Sequence, residues 1–222
     1  MTIAVIQSER RRDDPRRAVT RSALIEAAER LFAEAGVEAV STRQIGAAIG
    51  ALNTNVVAYH FGSKEGLIEA VFRHRLPAID RLRSELVRKL DAAGQSDNLS
   101  ALLRAFALPL FEQTDSAGQH SYARFLLGLE RSGMLAARAL VRSDFPQTEG
   151  LTSRMAALLP PEVRQTANFR MRLIFAMLGS ALQVIDQEPE LSADEARQLF
   201  DHAIAMAATA YSALPTAEES LL

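Results

Sequence analysis

Between Ser41 and Ser63 the chain reads STRQIGAAIGALNTNVVAYHFGS, and the polar residues of its second half are Asn53, Thr54, Asn55, Tyr59 and His60. Short amides, a hydroxyl and planar polar rings are side chains that meet base edges and phosphates. Chemistry of the catalytic kind is poorly supplied elsewhere. The sequence has no Gly-rich phosphate loop, no HExxH and no GxSxG, and it contains no cysteine. His60, His74, His120 and His202 are scattered, without the i, i+4 partners of a metal-binding helix. These residues point to a binding protein rather than an enzyme, with no cofactor and no metal site expected.

The elements that must position the polar cluster follow from the same stretch. Ser41 with Gln44 three residues on has the form of a capping box. Ile45 and Ile49 then share one face of a short helix, and Gly50 suits a helix end because it adopts positive φ cheaply. A turn through Ala51, Leu52 and Asn53 leads to a second short helix over residues 54–60. Phe61 and Gly62 close the unit, and Ser63 caps the helix that follows. Two short helices joined this way form a helix-turn-helix, which sets its second helix in the DNA major groove. An ordinary helical hairpin with a polar outer face fits the pattern equally.

Residues 20–68 narrow the choice. The segments AAERLFAEAGVEAVSTRQIG and YHFGSKEGLI, in this order and spacing, closely resemble the DNA-binding domain of the TetR family of bacterial transcriptional repressors. The turn IGAL is one residue longer than that of many members, and Ala58 stands where they carry a Tyr, with Tyr59 beside it. The resemblance implies a homodimeric regulator bound to a palindromic double-stranded operator. Thr42, Arg43, Tyr59, His60 and Lys64 would bind mainly phosphates, while Asn53, Thr54 and Asn55 would read bases. It also implies a repressor, released allosterically by a small-molecule effector. A helical protein-interaction module without DNA binding and a small helical enzyme are the alternative readings.

The net charge of −2 conceals an asymmetry. Residues 1–90 hold 15 Lys/Arg against 11 Asp/Glu, a surplus of four, whereas residues 91–222 hold 10 against 16. The basic part contains the polar cluster, as an electrostatic footprint on phosphates requires. Without cysteine there is neither disulfide nor thiolate site. Arg or polar residues interrupt every apolar run before it could span a membrane, and the N-terminus lacks the order of a signal peptide. A cytoplasmic protein with no membrane partner is expected.

The fold class expected is all-α: an N-terminal three-helix helix-turn-helix domain, joined by a long helix to a C-terminal helical bundle that dimerises. Residues 1–15, with Arg10, Arg11 and Arg12, read as a flexible basic arm, 16–62 as the DNA-binding domain and 63–90 as the connecting helix. Residues 91–214 form the ligand-binding and dimerisation domain, and 215–222 a tail. Pro77 should bend the connecting helix. Helical bundles build pockets between helices, mostly apolar with a few polar anchors. Phe106, Leu110, Phe125 and Phe175, with Met134 and Met177, are the apolar candidates for a largely apolar effector, and Gln113 and Tyr122 its anchors. One helix over 160–187, containing LIFAMLGSALQVI, is apolar nearly all round and must bury two faces. With the last helix, capped by Ser192 and Glu195, it suits a four-helix interface between two subunits. Ile174, Leu178, Ala181 and Ile185 on the first, and Phe200, Ile204, Ala208 and Tyr211 on the second, are the expected contacts.

Overall fold

The computed structural model describes residues 15–214, with the backbone alone at 135–137, and all its regular structure is helical. Helix α1 spans Pro15–Ala35, α2 Thr42–Ala48, α3 Val56–Phe61 and α4 Lys64–Ala92. Then follow α5, Leu99–Phe111, α6, Ser121–Arg131, and a 3-10 segment, Met134–Asp144. The chain ends in α7, Gln147–Ala157, the single turn α8, Pro161–Arg164, α9, Ala167–Asp186, and α10, Ala193–Ser212. The arm expected at 1–15, apart from Pro15, and the tail at 215–222 lie outside the described residues.

Local chemistry sets the helix starts. Ser41 accepts from the Gln44 amide at 3.2 Å while the Gln44 side chain accepts from the Ser41 amide at 2.8 Å, closing the capping box. Ser192 and Glu195 repeat the device at α10, and Asn98 caps α5 through the Ala101 amide at 3.1 Å. Helix α4 runs unbroken through Pro77. That proline has no N–H to give the Arg73 carbonyl, so the helical ladder has one gap there.

The helix expected over 160–187 is divided. The Thr166 hydroxyl donates to the Val163 carbonyl at 2.7 Å and its amide to the same oxygen at 3.0 Å. This local i to i−3 bonding ends one helical turn at Arg164 and lets another begin at Ala167.

Helices α1 to α4 surround a small core of Leu24, Phe32, Ile45, Val57, Leu67 and Phe72. It is continuous with the larger core because α1 packs along α6. Phe125 of α6 lies 5.9 Å from Phe32 and 5.7 Å from Phe72, ring centre to ring centre. Between the same helices a carboxylate is buried. Glu29 of α1, 1% exposed, accepts from Arg75 Nε at 2.7 Å and Arg75 Nη2 at 2.8 Å, and from the Ser121 hydroxyl at 2.5 Å. Three helices, α1, α4 and α6, are thereby tied to one carboxylate.

Gly179 of α9 faces Leu127 of α6, and a Cβ there would lie 2.7 Å from Leu127 Cγ. The small residue of the LIFAMLGSALQVI run thus serves a helix contact inside the subunit.

Removing one partner of a buried ion pair leaves the other charge uncompensated. Glu29→Ala is expected to lower unfolding stability by about 3 kcal/mol, read from the shift in a chemical denaturation midpoint. A loss below about 1 kcal/mol, the worth of a surface pair, would show that the cluster does not hold the three helices together.

Candidate functional site

The helix-turn-helix is held at close quarters by two glycines. A Cβ on Gly46 would lie 2.9 Å from Val56 Cγ1, so α2 and α3 approach to the distance that a bare backbone permits. Gly50 at φ +70° makes the turn, and the Ala51 amide donates to the Gly46 carbonyl at 3.0 Å. Gly62 at φ +77° ends α3, and Ser63 caps α4 by accepting from the Gly66 amide at 3.1 Å.

The second helix is shorter than its expected span of 54–60. Asn53 Oδ1 accepts from the Asn55 amide at 2.9 Å, an Asx turn that holds residues 53–55 out of the helix. Helical geometry starts only at Val56. Asn53, Thr54 and Asn55 are exposed in the turn leading into α3, and Asn55 makes no side-chain capping bond. Val56 and Val57 anchor the helix from below.

Of the other expected DNA contacts, Arg43 is exposed and Thr42 half-buried on the first turn of α2. Tyr59 is 64% exposed, with the Arg17 guanidinium 5.4 Å from its ring centre. His60 is half-buried beside it, rings edge to face at 5.0 Å. Burial, then the charges of Arg17 and Arg21, hold the imidazole below its ordinary pKa, so it stands at this surface as a neutral ring at pH 7. Lys64 lies half-buried at the first turn of α4, its ammonium 5.7 Å from the centre of Phe32. Three residues outside the sequence-based set complete the face. Arg17 and Arg21 of α1 reach the α3 rings, Arg21 at 4.9 Å from Phe61. Leu52 is fully exposed at the tip of the turn. Helix spacing carries no signal for Arg17 and Arg21, which belong to another element; a bare leucine in a polar turn is the signal for Leu52. Together the face offers amides, a hydroxyl, a phenol and cations, the donor set that phosphates and base edges require.

A second feature lies in the body. A cavity of about 170 Å³ is lined by α4, α5, α6, α7, α9 and the 3-10 segment. Of the eight expected pocket residues, Phe106, Leu110, Tyr122 and Phe175 line it. The other four do not. Phe125 is wholly buried between Phe32, Phe72 and Tyr122 on another side of α6. Gln113 lies beyond the end of α5, where its amide donates to the Leu110 carbonyl, and Met134 and Met177 pack half-buried against the core instead. Beside Tyr122, the cavity's polar groups come from elements that sequence periodicity cannot bring together: Arg83 from α4, Glu130 from α6, Arg138 from the 3-10 segment, Thr148 and Thr152 from α7, and Arg172 from α9.

The expected subunit contacts need a larger correction. Ile174, Leu178, Ile185, Phe200, Ile204 and Tyr211 are buried within one subunit, where α9 packs on α10, α6 and α7 and α10 on α5. Ala181 and Ala208 are half-buried on the same core. The stripe facing outward is Phe169, Leu173 and Val184 on α9, with Leu199 and Met206 on α10, each between 45% and 65% exposed. A helix apolar all round has two candidate inner faces, and the sequence reading selected the one that the subunit's own core uses.

His120 stands apart from the cavity. Its Nδ1 meets Asp186 Oδ1 at 2.6 Å and its Nε2 the Phe111 carbonyl at 3.0 Å, so both ring nitrogens are engaged away from the cavity. Among the described residues no group of three His, Cys, Asp or Glu could hold a metal ion, and no helix is long and apolar enough to cross a membrane.

No curated protein matches the chain. Residues 24–71, from α1 through the helix-turn-helix into α4, match the family model described as bacterial regulatory proteins, tetR family. The chain therefore carries the helix-turn-helix DNA-binding domain of the TetR family of transcriptional regulators.

Proposed function

We propose that the protein is a homodimeric transcriptional repressor that leaves a palindromic operator when a small molecule enters the body cavity. The observation that carries the reading is the exposed polar face of α3 and its leading turn, set on a TetR-family domain. In this reading Thr54 and Asn55 meet base edges, with Leu52 against a thymine methyl. Tyr59, Thr42, Arg43 and Lys64 meet phosphates, Lys64 with the help of the α4 N-terminus. Asn53 serves the turn first, since its Oδ1 is occupied, and its amide hydrogens remain for DNA. A regulator of this kind works in the cytoplasm, where the DNA is.

The exposed stripe on α9 and α10 supports self-association. Apolar side chains side by side on two antiparallel helices are what a second copy would cover in a four-helix interface. The interface proposed here uses Phe169, Leu173, Val184, Leu199 and Met206, and a two-fold axis through it would set the spacing of two reading heads.

Coupling between cavity and DNA has a physical route. Tyr122 lines the cavity, and its neighbour Ser121 holds Glu29 of α1. Leu76, Ile79 and Arg83 of α4 line the same cavity, while the first turns of α4 carry Lys64 and pack under α3. A ligand that moved α4 or α6 would move the reading head with them, and binding at either site would bias the other by the same factor.

DNA flanking the protein's own gene serves as the gel-shift probe. Asn55→Ala should cost about 1–3 kcal/mol on that DNA and little on random duplex. Lys64→Ala should weaken both alike and lower the salt slope by about one. Failure of the wild type to retard the probe at low salt would remove the repressor reading. For the dimer, sedimentation of Met206→Glu or Leu173→Glu at micromolar concentration should show monomer where the wild type is a dimer. A monomeric wild type would defeat the two-headed arrangement.

A further inference from the structure

The body cavity has largely apolar walls, and two guanidiniums in its lining, those of Arg83 and Arg138, converge on one hydroxyl. Arg83 is 3% exposed. Its Nε and Nη2 donate to the Phe106 carbonyl at 3.1 and 2.8 Å, and its Nη1 donates to the Thr148 hydroxyl. Arg138 Nη2 donates to that same hydroxyl oxygen at 2.7 Å. Two cations thus share one neutral oxygen. Among the described residues neither arginine has an ion-pair partner: the nearby acids are already engaged, Asp80 by the Gln147 amide at 3.0 Å and Glu149 by Arg142. The one carboxylate in the cavity wall, Glu130, is held by Arg172 at 2.5 Å.

A buried cation without a counterion is costly, and proteins resolve the cost by pairing it. Burial, followed by the neighbouring Arg138 charge, pushes Arg83 down to about 9, still protonated at pH 7. Tyr122 adds an independent sign. It is 1% exposed, it lines the cavity, and its hydroxyl has no hydrogen-bond partner. An orphan phenol beside two guanidiniums is a donor awaiting an acceptor. Burial raises its own pKa, so it would donate a hydrogen bond to an anion rather than compete as one.

The apolar lining sets the rest of the ligand. Leu110, Leu126, Met171 and Phe175 surround a cavity of about 170 Å³, and an apolar cavity of about 150 Å³ holds a benzene ring.

We propose that this cavity binds a small organic carboxylate with an apolar body about the size of one aromatic ring, its carboxylate received by Arg138, Arg83, Thr148 and Tyr122. The inference rests on the effector reading of the same cavity and assigns the effector's chemical class. Thr148 accepts from both arginines and keeps its own hydroxyl hydrogen to give. Planar guanidiniums suit a carboxylate because the two match in geometry and charge.

The test measures binding to the full-length protein without DNA. Benzoate and phenylacetate are titrated calorimetrically against benzamide and phenylacetamide, which keep the shape and lose the charge. The carboxylates should bind about tenfold or more tightly than the amides, since charge-assisted hydrogen bonds are about twice as strong as neutral ones. Arg138→Gln should reduce the ratio to about one while leaving amide binding in place. Tyr122→Phe, which keeps the ring, should weaken the carboxylates alone by severalfold, and it stands as the variant of choice if Arg138→Gln does not fold. Amides that bind as well as the acids, a preference that survives both variants, or no binding by any of the four at millimolar concentration would overturn the proposal. Gel shifts with the same compounds separate it from the repressor reading. A carboxylate that binds without releasing DNA would defeat release by this cavity and leave the ligand class standing, whereas a neutral ligand that releases DNA would do the reverse.

Discussion

One buried carboxylate joins the DNA-reading part of this molecule to the rest. Glu29 belongs to α1, yet its two oxygens are occupied by Arg75 of α4 and Ser121 of α6. A carboxylate in an apolar setting is unfavourable unless its oxygens are fully engaged. The geometry that satisfies this one is also the geometry that fixes three helices. The buried rings of Phe32, Phe72 and Phe125 pack together between the same three helices. The four N-terminal helices are therefore not a bead on a string. Their orientation is decided by contacts that reach into the body, one residue away from the cavity wall at Tyr122.

The local features of the fold could be read from the sequence because they depend on neighbours along the chain. Ser41 with Gln44 and Ser192 with Glu195 form the capping boxes that their spacing announces. Gly50 and Gly62 take the positive φ that their places at helix ends require. The all-helical class follows from the same periodicities. The Asx turn at Asn53 shows the limit of this reasoning, because a polar side chain satisfying its own backbone shortened a helix that periodicity alone would have extended.

What depends on packing between distant segments was less legible. For α9, apolar on nearly every side, the sequence indicates two buried faces without saying which belongs to the subunit. The contacts to α6, α7 and α10 claim Ile174, Leu178 and Ile185, leaving Phe169, Leu173 and Val184 outside. The cavity shows the same division. Its apolar members on α5 and α9 were recognisable as bulky residues at helical spacing. Arg83, Arg138 and Thr148, which give it chemical character, lie on three different segments and meet only in the folded chain.

Pro77 stands between Leu76 and Ile79, two residues of the cavity wall, and the hydrogen-bond ladder of α4 lacks one rung beside it. A rod resists flexing least where a rung is missing. In the proposed reading a ligand that entered the cavity would press on α4 beside this gap, and the section from Lys64 to Leu76 would swing as a short stiff arm while the section beyond stays packed on α5 and α7. The proline would then serve as an elbow, its position turning a local displacement of side chains into an angle delivered at the far end.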